Sequence, residues 1–180
     1  MDRLYFGLFE GKSIYSKLIK FYTRSSISHV AVLLDIEPGS YKTIEVYPNG
    51  SLCKTYWNYF SLLDHSPGTV VHIYELPVSQ DQYNLAMRFY HYLAQNQTAY
   101  NWFGIVGFVI PVFTSNGGYF CSEGAVEGLK FAGIIDTSIK GWKINPDGFA
   151  SLLKLIRASL VRSVIVKQDV ESKQNIVIEL

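Results

Sequence analysis

Cys121 is the residue of this chain whose surroundings most favour chemistry. A thiol becomes a nucleophile when its thiolate is stabilised. The segment Cys121 to Ala132 carries Ala125, Val126, Leu129 and Phe131 and stops at Gly133, which predicts a helix beginning at the cysteine. A helix N-terminus supplies unpaired amides and a partial positive charge, the field that a thiolate needs. Most free cysteines are small buried fillers, so a partner base has to give the position its meaning. His29, flanked by Ser28 and Val30 at the start of an apolar strand, is the candidate base, and Glu45 on the next strand is the candidate to orient it. Side chains alternate faces along a strand, so a hairpin register pairing His29 with Glu45 or with Tyr47 puts both on one face, while a slip by one residue separates them. The set is then a thiol, an imidazole that takes its proton and a carboxylate that stabilises the charged imidazole, a combination suited to acyl transfer. Tyr100 lies upstream of Cys121 and reads either as a hydroxyl donor to a developing oxyanion or as a core aromatic.

The other chemistry-bearing residues read more plainly. His65 sits in a polar turn before Pro67, His72 in a β-like run and His91 within a helix, all three expected to be structural or solvated. Cys53 follows the turn Pro48, Asn49, Gly50 with no helix start behind it and reads as a filler. Glu123 falls in the first turn of the cysteine helix, where an acid complements the dipole. Two cysteines and four scattered histidines give neither a disulfide framework nor structural zinc spacing, so neither metal nor cofactor is expected.

These residues need elements to bring them together. Ile14, Leu18, Ile19 and Tyr22 predict a short amphipathic helix within Lys12 to Thr23. Ser28 to Asp35 and Tyr41 to Tyr47 predict a hairpin around the turn-forming cluster Ile36 to Ser40. Thr69 to Leu76 is a further β-like run, and Ser79 with Gln82 forms a capping box that opens a helix from Gln80 to Gln95. Pro146 starts a last helix, to about Arg157. The tail from Val161 to Leu180 holds two β-like stretches with no assignable place in a sheet.

Composition sets the outer bounds. Of 180 residues, 48% are hydrophobic and 17% charged, which excludes a disordered chain, and the length suits a single domain over 1–180. A net charge of +1 argues against a nucleic-acid partner, which demands phosphate neutralisation. The longest apolar run, Gly104 to Phe113, contains Pro111 and falls short of the roughly 20 residues of a membrane span. Met1 to Lys12 lacks the pattern of a secretory signal, so a cytoplasmic or phage-particle-associated protein is expected. The 13 Tyr, 11 Phe and 3 Trp suit either an aromatic core or a substrate groove, with Trp102 and Phe103 as candidate lining.

Three segments together resemble the circularly permuted branch of the NlpC/P60 papain-like cysteine hydrolases, the YiiX/YebB-like proteins. IKFYTRSSISHVAVLL, from Ile19 to Leu34, is similar to the family's helix and Ser-His-Val strand, and TIEVYP, from Thr43 to Pro48, to its second strand with an acid. AYNWFGIVGF, from Ala99 to Phe108, and YFCSEGAVEGL, from Tyr119 to Leu129, are similar to its Tyr-containing approach and its nucleophile helix. The order His, acid, Tyr, Cys is the permuted one. The resemblance spans Leu4 to Phe149 and implies an α+β permuted papain-like fold, an antiparallel sheet packed against helices. It implies Cys121 as nucleophile, His29 as base, Glu45 as the orienting third residue and Tyr100 as a substrate or oxyanion contact. The implied activity is an amidase or peptidase on peptidoglycan or peptide amide bonds. A lipid acyl hydrolase or acyltransferase using the same residues, or a non-catalytic binding module, is the alternative. Asn101 and Gly124 depart from the family pattern, where an Asp and a larger apolar residue are usual.

Overall fold

The computed structural model describes residues 1–48, 55–101 and 118–180. Its spine is a seven-stranded antiparallel sheet: β1 (Asp2–Glu10), β2 (His29–Leu33), β3 (Lys42–Pro48), β4 (Thr55–Ser61), β5 (Val70–Val78), β6 (Ser159–Gln168) and β7 (Asn175–Glu179). Among the described residues four α-helices accompany it: α1 (Ile14–Thr23), α2 (Gln80–Gln95), α3 (Cys121–Phe131) and α4 (Pro146–Leu155). The strand order β4-β3-β2-β1-β5-β6-β7 puts the N-terminal strand in the middle and the C-terminal hairpin at one end. The architecture is therefore α+β, and the tail that had no assignable place completes the sheet.

Alternation along the strands explains how one sheet serves two cores. On one face Leu4, Phe6 and Leu8 of β1, Val30 and Val32 of β2, Ile44 and Val46 of β3 and Trp57 of β4 pack against the helices. Ala125, Val126 and Leu129 of α3 and Phe149, Leu152 and Leu153 of α4 meet them there, with Phe6 edge-on to Phe149 at 5.3 Å between ring centroids. The other face is lined by Phe9, Ala31, Leu33, Val71, Ile73 and Val164, together with Tyr41 and Leu62, and is covered by the curl of the sheet itself. Asn175, at the start of β7, donates its side-chain amide to the carbonyls of Leu63 (2.8 Å) and His65 (3.1 Å), just beyond β4 at the other end of the strand order. The two ends of the sheet thus approach one another through a turn.

The helix ends follow local rules. Ser79 and Gln82 form the reciprocal capping box of α2. Asn145 caps α4, with Pro146 in its first turn. α3 begins at Cys121 and ends one residue short of the expected Ala132. β1 and β4 carried no strand expectation: β1 is buried on both faces, and β4 is recognisable only through its seven-residue pairing with β3. Among the described residues no helix is long and apolar enough to cross a membrane.

Candidate active site

The hairpin register decides whether His29 can use Glu45. Val32 pairs with Ile44 and Leu33 with Thr43, and the same register continued to the start of β2 sets His29 opposite Tyr47. His29, Glu45 and Thr43 therefore share the face of the second core, while Val30, Val32, Ile44 and Val46 take the other. Ser28 secures the entry to β2, its amide donating to the Phe9 carbonyl (2.8 Å) and its hydroxyl accepting from the amide of Gly11 (3.1 Å).

Glu45 is fully buried and its carboxylate collects three donors. Thr43 Oγ1 donates to Oε1 at 2.6 Å, and His29 Nε2 to Oε2 at 2.7 Å. His65 Nε2 lies 3.2 and 3.1 Å from the two oxygens. Burial disfavours the charged carboxylate, but the charge of His65 and hydrogen bonds from His29 and His65 prevail and hold it well below the usual carboxylate range. Because an ionised carboxylate only accepts, Nε2 of each histidine carries a proton. Phe9 wedges beside both rings, 5.2 Å from that of His29 and 4.5 Å from that of His65.

With its Nε2 on Glu45, His29 has Nδ1 left for a further partner, and Cys121 lies near enough to act on the charge of the ring. Burial works against a charged imidazole, yet the nearby Cys121 and the hydrogen-bonded Glu45 together raise the His29 pKa to about 10. The thiol is 3% exposed at the first position of α3. α3 is held in place from several sides. Ser122 Oγ donates to the Ile144 carbonyl (2.7 Å), Trp57 Nε1 donates to the Tyr119 carbonyl (3.1 Å), and the Phe120 amide donates to Glu123 (3.3 Å). A side chain at Gly124 would run into the Trp57 ring, which is why glycine stands there instead of the larger residue of the resembled family.

Tyr100 is buried, and its hydroxyl pKa is raised well above the ordinary value by burial and by the charges of Cys121 and Glu123. Its amide donates to the Thr55 carbonyl (3.1 Å), beside the bridge between Tyr56 and Ala99. Its neighbour Asn101 is fully buried and donates to Glu123 (3.4 Å). Glu123 thus does more than complement the dipole: it ties the Tyr100 segment to the start of α3. Burial pushes its pKa up to about 7 against its two donors.

The structure brings Cys121, His29, Glu45 and Tyr100 to one end of the sheet. It adds His65, expected to be structural or solvated: it is 5% exposed, not solvated, and is seated on Glu45. No local signal marks that residue, because its partner lies 20 positions away and they meet only when the sheet curls. His72 bonds Ser163 (2.8 Å) and Glu10 (3.2 Å), and His91 bonds the exposed Tyr59 hydroxyl (2.9 Å), both apart from this cluster. Cys53, Trp102, Phe103, Gly117 and the apolar run Gly104 to Phe113 lie outside the described residues. Among those described, no group of His, Cys, Asp or Glu side chains is arranged to hold a metal ion. No protein-family model matches the chain, and no curated protein matches it either.

Proposed function

We propose that this protein is a cysteine hydrolase of the permuted papain-like type, with Cys121 as nucleophile, His29 as its acid-base partner, Glu45 as the residue that orients His29, and Tyr100 at the oxyanion. The observation that carries the reading is one imidazole bonded at Nε2 to a buried carboxylate, with Cys121 near enough to act on its charge. Residues 29, 45 and 121 come from three different elements, and a core that needed only apolar filler would have no use for this arrangement.

The cycle begins with transfer of the Cys121 proton to His29, which gives a thiolate beside an imidazolium. The thiolate attacks the carbonyl carbon of the substrate, and the charge moving onto its oxygen is met by the Cys121 backbone amide and the Tyr100 hydroxyl. His29 passes its proton to the leaving nitrogen, the C–N bond breaks, and an acyl thioester remains. Water then attacks while His29 takes its proton; collapse expels the thiolate and releases the carboxylic acid, restoring the starting pair. The substrate class favoured by the resemblance is a peptide or peptidoglycan amide.

Carbamidomethylation of Cys121 by iodoacetamide tests the Cys121–His29 pair. Rapid labelling at pH 6, lost in His29→Ala, is the expected result. Slow labelling indifferent to His29 would leave a non-catalytic module. Cys121→Ala should abolish release of amine from muropeptides while keeping the fold, and Glu45→Gln should lower turnover without abolishing labelling. Release of fatty acid from acyl lipids, with muropeptides untouched, would move the substrate from amide to ester.

A further inference from the structure

We propose that His65 is a positioning residue of this site and that the C-terminal hairpin β6–β7 holds it there. The inference rests on the Cys121–His29–Glu45 reading and extends it to a part of the chain that the family resemblance does not reach. Glu45 must present one oxygen to His29 in a fixed direction, yet the terminal torsion of a glutamate is broad and does not hold a carboxylate by itself. Thr43 restrains only Oε1. His65 Nε2, facing both oxygens at 3.1 and 3.2 Å, is the contact that fixes the carboxylate plane.

His65 has little freedom of its own. The Phe9 ring packs beside it at 4.5 Å, and its amide donates to the Leu62 carbonyl at 3.2 Å. The rest of its restraint comes from the tail. Both Asn175 amide bonds are spent on the turn that carries His65, at the carbonyls of Leu63 and His65. Immediately after it, the Gly68 amide donates to the Val166 carbonyl (2.7 Å) and the Val166 amide to the Thr69 carbonyl (2.9 Å). Asn175 itself is placed by pairing with Gln168 in the β6–β7 ladder. Residues about 110 positions downstream thus set the position of a ring that sets the carboxylate that sets the base.

The consequence is a pH-dependent one. Glu45 is faced by His29 from β2, by His65 from the turn after β4 and by the Thr43 hydroxyl of its own strand, and His29 is faced in turn by Cys121 of α3. Without His65 the buried carboxylate loses a donor, takes up a proton at higher pH and no longer supports the imidazolium.

The test is the rate of Cys121 carbamidomethylation by iodoacetamide between pH 4 and pH 9 in the full chain, with melting temperature recorded in parallel. His65→Leu should move the acid limb of the profile up by about one pH unit and slow labelling about tenfold at pH values on that limb, a factor of ten per unit. His65→Gln retains a side-chain N–H and should restore most of the wild-type profile. Asn175→Ala, away from the carboxylate, should shift the limb in the same direction by less. If all three variants keep the wild-type limb and differ only in melting temperature, His65 is structural and the proposal falls. A wild-type protein that labels slowly with no such limb would instead overturn the hydrolase reading itself.

Discussion

Glu123 and Glu45 are two buried carboxyls within one site, driven in opposite directions by their neighbours. Glu45 has three donors and stays ionised; among the described residues Glu123 accepts from the Phe120 amide and Asn101, and burial raises it from 4.5 to about 7. The signs follow from proton linkage. A depressed carboxyl such as Glu45 stabilises the fold above its ordinary value of 4.5 and loses that contribution as pH falls. His29, raised from 6.5 to about 10, contributes fully below 6.5 and loses its share as pH climbs through about 10. Glu123 is the reverse case. Its charged form is disfavoured in the fold, so it costs nothing below about pH 4.5 and its full penalty above about pH 7. Glu123→Gln should therefore raise stability at pH 8 by on the order of 2 kcal/mol and leave it unchanged at pH 4, read from urea midpoints at the two pH values. An equal change at both would mean that ionisation of Glu123 is not the cause.

At the scale of elements, α3 depends on one glycine. Gly124 lies one turn from Cys121 and lets the Trp57 ring of β4 close against the helix backbone, while Trp57 Nε1 holds the Tyr119 carbonyl just before the cysteine. Gly124→Leu should overpack this contact, lower stability by about 1–3 kcal/mol and slow Cys121 labelling, because displacement of the helix moves the thiol from His29. A stable variant with unchanged labelling would show that the helix end is held from elsewhere. Elements whose signals are local were legible in advance. Ser79 with Gln82, Asn145 with Pro146 and the cysteine at a helix start all act within one turn of backbone. The hairpin around residues 36–40 was legible for the same reason. β1 and β4 were not, since burial on two faces erases the alternation of β1, and β4 is defined by its partner strand.

On the scale of the whole molecule, the second core is what turns a sheet into a site. Phe9 belongs to it and touches both histidines, so Phe9→Ala should cost about 3–5 kcal/mol in chemical denaturation. It should also blunt the dependence of labelling on Glu45, since both rings lose the wall they rest on. A cost below 1 kcal/mol would show that the face is not packed as one unit. The amino-acid order by itself determined the thiol at a helix start, the histidine at a strand start and the acid on the adjoining strand, because each depends on neighbours within a few residues. It also limited the hairpin to two parities without choosing one. Tertiary structure made that choice, through burial of Ile44 and Val46 on one face and of Ala31 and Leu33 on the other. Only the curl of the sheet brought His65 to Glu45 and Asn175 to the turn that carries His65, for hydrogen bonds between residues 20 and 110 positions apart leave no periodic trace in the chain.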